Sequence, residues 1–554
     1  MNEDPASDEI ITQIKLWNYR CHNYHDDCPG GHDVELPNRV LDIGPPDGSL
    51  EPFLSIGHGR RGAYVTLSYR WGLVNSLITT KANMESHIKG IPMDSLPKTL
   101  RDAVVVTRKL GFRYLWIDAL CIIQDFQHDW LTQSTKMAEI YGNAVLNIQA
   151  DCAADSDDGF LKKRRLPELR SCEHPDLLGD GVRRAVCPGH QYPKRAVENG
   201  FLSSRGWILQ ERALSKRIVH WTAHEVIWEC WSSQATERRP AYHKWTAAIQ
   251  FNELLPGDRL EGFVAGRGMQ RTKYDGIRIA VNKNTAKTLE THAQPPGHED
   301  LEVDYHSWYD LVADYSGRDL TQPDDNLIAI SSLAMTFQKQ NSLKGAYLAG
   351  LWSEDIVSGL IWHIDLEYYS FETEEYPSKL KGLAKYRAPS FSWASFKRSV
   401  TFPDNRWMNV IYKELEPQLF DYSISAALKD PYSAVNYGHI RLQGYAIRYL
   451  DLPSEKMRRL NPDSKDIESY AILDQGACPS LEWIWKPNVL AFFLRARHFR
   501  REEKDTPKNS FTSYWLLLHP AEESDIYFRI GLHIEEEDIQ SVRPILEEKA
   551  VTIV

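Results

Sequence analysis

Tyr64-Val-Thr-Leu-Ser-Tyr-Arg-Trp-Gly72 is the stretch on which the fold turns. Five of its first six residues are apolar or β-branched, and the run leads into a Trp71-Gly72 pair, which predicts a short strand running into a loop. Downstream, Leu96, Leu100, Ala103, Val104, Thr107 and Leu110 recur at helical spacing. Pro97 falls where a first helical turn begins, and Gly111 where a helix stops. Tyr114-Leu-Trp-Ile-Asp118 is a second strand, apolar enough to be buried on both faces as in a parallel sheet. Asp129 is placed to cap a helix carrying Trp130, Ser134, Met137 and Tyr141 on one face, and Ala144-Val-Leu-Asn-Ile-Gln-Ala150 is a third strand. Strand, helix, strand, helix, strand predicts an α/β domain with a mainly parallel sheet.

The rest of the chain divides around that core. At 554 residues it is too long for one hydrophobic core. Residues 1–60 read as a lead-in with polar turns, 61–232 as the α/β domain, 233–302 as a variable insert or linker, and 303–554 as a mixed α+β extension. Ile218–Trp221 and Val226–Cys230 flank a polar tetrapeptide and predict a hairpin. The 17 Trp and 26 Tyr must mostly be buried or line a cleft. A net charge of -11 argues against general nucleic-acid binding, and the basic run Lys162–Arg165 reads as a solvated loop. The opening Met1-Asn-Glu-Asp-Pro5 has no signal-peptide character, and no run approaches 18 apolar residues. Eight cysteines in such a length make no disulfide framework, so the expectation is a reduced, cytoplasmic protein with no membrane association.

Four segments in order resemble the fungal heterokaryon incompatibility (HET) domain family. They are Tyr64–Gly72; Leu96-Pro-Lys-Thr-Leu100 with Tyr114–Asp125; Met137-Ala-Glu-Ile-Tyr141 with Ala144; and Arg205-Gly-Trp-Ile-Leu-Gln-Glu-Arg-Ala-Leu-Ser215 followed by Trp228-Glu-Cys230. Leu311–Thr321 with Asp325, Gly350-Leu-Trp352 and Ala388–Ser395 resemble segments that follow the domain in long members. The resemblance implies nonself recognition and programmed cell death on fusion of incompatible hyphae. It also implies a fold similar to TIR domains, a flavodoxin-like α/β arrangement. Some TIR domains cleave NAD at the nicotinamide–ribose bond or bind nucleotide-like signals. NAD is therefore the expected ligand or substrate, with no firm cofactor, and self-assembly or a protein partner is expected with it.

In open α/β sheets ligands bind beyond the C-terminal ends of the strands. Ser68, Tyr69, Arg70, Trp71 and Gly72 follow the first strand, Asp118 and Cys121 end the second, and Gln124 with Asp125 lies in the next loop. Trp207, Gln210, Glu211 and Arg212 come from a later segment able to close over the same cleft. Such a set suits a dinucleotide: Trp rings stack on a base, Arg pairs with a pyrophosphate, and carboxylates engage ribose or a developing ribosyl cation. Glu211 and Asp118 are the catalytic candidates. The plainer alternative makes the Trp residues core and pairs Glu211 with Arg212 to fix a loop.

Three points remain open in the sequence. NAD-cleaving TIR domains carry a catalytic helix Glu shortly after a Trp, and the HET pattern is Asp-Trp-x-x-Glu; Gln133 stands at that position here. Its amide can bond a ribose hydroxyl but cannot balance a full positive charge, which favours either another carboxylate or a non-catalytic interaction module. Cys121 reads as a buried structural thiol, with a nucleophile in a metabolic enzyme as the alternative. Cys21, His25, Cys28 and His32 have ligand-like spacing that matches no standard zinc finger, and they either bind zinc or pack against the domain.

Overall fold

The computed structural model describes residues 2–72, 77–164, 172–174, 184–186, 193–238, 240, 243–244, 305–364, 386–396, 399–403, 409–427, 430–452, 471–473, 488–501, 508–521, 525–535 and 543–554. The chain forms two compact units, Met1–Gly297 and His298–Val554.

The first unit opens with helix α1 (Asp8–Tyr24), capped by Ser7, whose hydroxyl accepts from the Ile10 amide. Strands β1 (Arg39–Asp42), β2 (Phe53–Ile56) and β3 (Tyr64–Ser68) follow. Next come α2 (Lys98–Leu110), β4 (Tyr114–Trp116), the short helix α3 (Asp118–Cys121), α4 (Gln127–Thr135), α5 (Met137–Asn143) and β5 (Leu146–Gln149). Helix α6 (Gly206–Leu214) leads into β6 (Arg217–Trp221), β7 (Val226–Cys230), β8 (Ser233–Thr236) and β9 (His243–Lys244). These strands make one nine-stranded sheet in the order β9-β8-β7-β6-β5-β3-β4-β1-β2.

The predicted elements of the sheet centre form as expected. All five residues of β3 are buried, because parallel partners β4 and β5 flank it and helices cover the sheet. Helix α2 buries Leu100, Ala103, Val104, Thr107 and Leu110 and ends at Gly111, whose φ of 90° gives the left-handed stop. The β6–β7 hairpin pairs Trp221 with Val226 across Thr222–Glu225.

Other expectations are corrected. The sheet is mixed α/β, not mainly parallel: β4–β3, β3–β5 and β5–β6 are parallel, and the remaining pairings are antiparallel. Helical crossovers supply the parallel centre, whereas β1–β2, β6–β7, β7–β8 and β8–β9 join strands adjacent in sequence and pair antiparallel, and β1 also runs antiparallel to β4. Residues 39–42 and 53–56 of the lead-in, and 233–236 and 243–244 of the insert, are strands of this sheet and cover its edges. Residues 245–302 of the insert lie outside the described residues. Asp129 caps nothing: Phe126 holds the N-cap position, and the Asp129 carboxylate takes bonds from Arg39 and the Ile123 amide. The single expected helix is two, interrupted at Lys136. In the basic run, Lys162 pairs with Asp158, while Arg164 is buried on Glu237.

The second unit begins with α7 (Tyr305–Ser316) and α8 (Ile328–Asn341). Its sheet contains β10 (Asn409–Ile411), β11 (Gln418–Ala426), β12 (Val435–Arg448), β13 (Leu490–Arg501), β14 (Lys508–Pro520), β15 (Ile526–Glu535) and β16 (Glu547–Ile553). The path β13-β14-β15-β16-β12 closes through a β12–β13 pairing around a core that includes Phe493, Trp515 and Leu517. Two motifs of the extension meet at Gly350, whose carbonyl accepts the indole N–H groups of Trp308 and Trp393. Its φ of 103° and the Trp393 ring 2.4 Å from a hypothetical Cβ leave room only for glycine. Among the described residues, no helix is long and apolar enough to cross a membrane.

Candidate functional site

Beyond the C-terminal end of β3 the chain buries a cluster of acids and hydroxyls. Ser68, the last residue of β3, donates to Glu211 Oε2 at 2.5 Å and is itself held by the Asn147 side-chain amide from β5 at 3.1 Å. Glu211 lies on α6, and Tyr141 from α5 reaches the same carboxyl with its hydroxyl. Asp118, the first residue of α3, receives the Trp71 indole N–H at 2.8 Å and the Ala119 amide at 2.7 Å. Arg205 donates to the Tyr69 carbonyl at 2.8 Å, and its charge acts on both carboxyls. The Tyr69 hydroxyl is buried without a hydrogen-bond partner, within electrostatic reach of Asp118, Arg205 and Glu211.

Burial dominates the electrostatics here. It pushes the Glu211 carboxyl up to about 7, and the neighbouring Asp118 charge adds to the rise against the Ser68 and Tyr141 hydrogen bonds. Burial also raises Asp118, opposed by the Ala119 amide and the Trp71 indole. Tyr69 and Tyr141 are held far above ordinary phenols, first by burial and then by the adjacent carboxyls. Two acids in one low-dielectric site, one balanced near neutrality, form an arrangement able to exchange a proton or to answer a developing positive charge.

Residues 64–211 match the model of the family described as Heterokaryon incompatibility protein (HET). This stretch is a HET domain. No curated protein and no solved structure matches the chain. The match runs from Tyr64, the first residue of β3, to Glu211, and the segments at its two ends meet in the Ser68–Glu211 hydrogen bond. The match over this stretch supports a role related to heterokaryon incompatibility.

Within the HET domain the candidate residues are only partly brought together. Ser68, Tyr69, Trp71, Asp118 and Glu211 converge. Arg70 and Gly72 are exposed at the rim. Trp207 is half-buried and meets Trp130 edge to face at 6.0 Å between centroids. Gln124 turns back, its amide bonded to the carbonyls of Asp118 and Ile122. Gln133 and Gln210 are buried; the Gln133 amide nitrogen and both polar atoms of the Gln210 side chain lack partners. Burial pushes the Cys121 thiol up to about 12, as befits a structural cysteine and not a nucleophile.

Arg212 does not face this cluster, nor does it pair with Glu211. It donates to both oxygens of Glu229 on β7, at 2.7 and 3.2 Å. His220 joins that network, with Nδ1 2.9 Å from Asp151 and Nε2 3.3 Å from Glu229. Burial works against the His220 charge, but the two carboxylates overcome it and hold its affinity for protons above the ordinary range. Consecutive helical residues point about 100° apart, so Glu211 and Arg212 leave α6 on different faces and meet different partners. Tyr141, Arg205 and Asn147 were not among the sequence candidates. Arg205 opens a quoted motif, and that was its only signal.

The N-terminal ligand set is also rearranged. Cys21, His25 and Cys28 come together with Cys230. His32 does not join them; its ring packs on His22 at 4.3 Å. A depression of about 160 Å³ beside these histidines is lined by Ile14, Leu110 and Leu146, at the opposite end of the strands from Glu211.

Proposed function

We propose that the HET domain binds a nicotinamide dinucleotide beyond the C-terminal ends of β3 and β4 and hydrolyses its nicotinamide–ribose bond to trigger a cell-death response. The observation carrying this reading is the convergence of Glu211 and Asp118 beside the unpartnered Tyr69 hydroxyl. The three parallel pairings at the sheet centre support the TIR-like comparison. In the reaction the C–N bond breaks with its electron pair leaving on neutral nicotinamide, and water adds to the ribosyl carbon. A carboxylate at Asp118 or Glu211 answers the ribosyl charge and receives the proton of water. An acid balanced near 7 is suited to that exchange at neutral pH. The half-buried Trp71 and Trp207 and the exposed Arg70 at the rim supply stacking and pyrophosphate contacts. Trp71 stands over Asp118 and must swing for a ligand to enter.

A second reading, a non-catalytic interaction module, is favoured by Gln133 in place of a carboxylate and by the depth at which Glu211 lies. Nicotinamide release from NAD by purified full-length protein, measured over a range of concentrations and with a crowding agent, separates the two. Catalysis predicts turnover that falls by about 10²–10⁴-fold in Glu211→Gln or Asp118→Asn. No release at any concentration, and none from Gln133→Glu, transfers the function to binding or self-assembly.

A further inference from the structure

We propose that Cys21, His25, Cys28 and Cys230 hold one zinc ion in a tetrahedral three-cysteine, one-histidine site that fastens helix α1 to the β6–β7 hairpin. The sequence spacing alone pointed to His32 as the fourth ligand, and the fold supplies Cys230 instead. The four ligand atoms all lie within 4.8 Å of one another, and Cys230 Sγ is 3.4 Å from His25 Nδ1. A tetrahedral zinc with Zn–S of ~2.3 Å and Zn–N of ~2.0 Å requires ligand separations of ~3.5–3.8 Å, so the cluster needs only small side-chain adjustments to close on the metal.

Each ligand is placed by its element. Cys21 and His25 are one turn apart at the C-terminal end of α1 and so share a face. A turn in which the Cys28 amide donates to the His25 carbonyl at 3.1 Å brings Cys28 back to that face. Cys230 ends β7, paired across the hairpin with Arg217.

The surroundings suit a thiolate-bound dication better than a set of packed thiols. Arg217 is buried, donates to Cys21 Sγ at 3.3 Å and holds the carbonyls of Cys28 and Gly30. Three thiolates and Zn²⁺ carry one net negative charge, which this guanidinium neutralises. The Ser233 hydroxyl lies 3.3 Å from Cys230 Sγ, in the position of an outer-sphere donor to a metal thiolate. Sulfur-rich tetrahedral sites select zinc over the harder divalent ions.

The test is metal content by plasma mass spectrometry on full-length protein purified without chelators. We expect about one zinc per chain. Cys230→Ala should lose the metal and His32→Ala should keep it, which separates this set from the one that sequence spacing suggests. Because a cysteine variant can fail to fold, a second measurement uses the wild type. Titration with an organomercurial should release zinc to a colorimetric indicator, and a cobalt-exchanged sample should show thiolate-to-cobalt absorption of a tetrahedral centre. Metal-free native protein would overturn the proposal, whether its cysteines are free thiols or a disulfide. So would zinc that survives in a folded Cys230→Ala variant.

Discussion

Glu211 keeps its proton in the native protein at pH values where an exposed glutamate has lost it. Its ordinary value of 4.5 is raised to about 7 by burial. Between those values the unfolded chain ionises this carboxyl and the folded chain does not. Its contribution to stability is therefore complete below about 4.5, falls as pH rises towards 7, and is gone above it. The span is worth roughly 3 kcal/mol. Glu211→Gln keeps a neutral, hydrogen-bonding side chain beside Ser68 and Tyr141, so the variant should be the more stable protein at pH 8 and near wild type at pH 4.5. Urea midpoints across this range check it; parallel profiles for the two proteins would show that Glu211 ionises normally. Sequence could nominate Glu211 and Asp118, because acids beyond strand ends are recognisable. It could not show them coupled, since 93 positions separate them and only the sheet brings them together.

At the scale of elements, α6 joins two kinds of environment. One face delivers Glu211 to the acid cluster; the adjacent face anchors Arg212 on Glu229 and, through it, on His220 and Asp151. Removing one member of such a buried ion pair strands its partner's charge. Arg212→Met should cost about 3–5 kcal/mol in chemical denaturation. Adding Glu229→Met should recover part of that loss, and a double variant as unstable as the sum of the singles would argue against coupling. The element boundaries were legible where backbone chemistry marks them. Pro97 and Gly111 bracket α2 because one lacks an amide proton and the other tolerates φ of 90°. The break at Lys136 carries no such residue, and a continuous apolar face ran through it.

For the molecule as a whole, the family match and the folding unit differ in extent. The match covers residues 64–211, whereas the sheet it sits in recruits β1 and β2 on one edge and β6 to β9 on the other. A fragment cut at 64 and 211 would expose the outer edges of β5 and β4 and lose α1. It should lack a cooperative thermal transition by circular dichroism, while residues 1–297, the full first unit, should regain one. A cooperative 64–211 fragment would mean the flanking strands are ornament. Sequence by itself determined the central strands, helix α2, the β6–β7 hairpin and the family, because those depend on local runs, spacing and backbone limits. Tertiary structure alone decided the mixed sheet, the meeting of Glu211 with Asp118, the turning away of Arg212 and the choice of Cys230 over His32. Each of these depends on which distant segments share an edge or a face, and no local pattern in the chain records that.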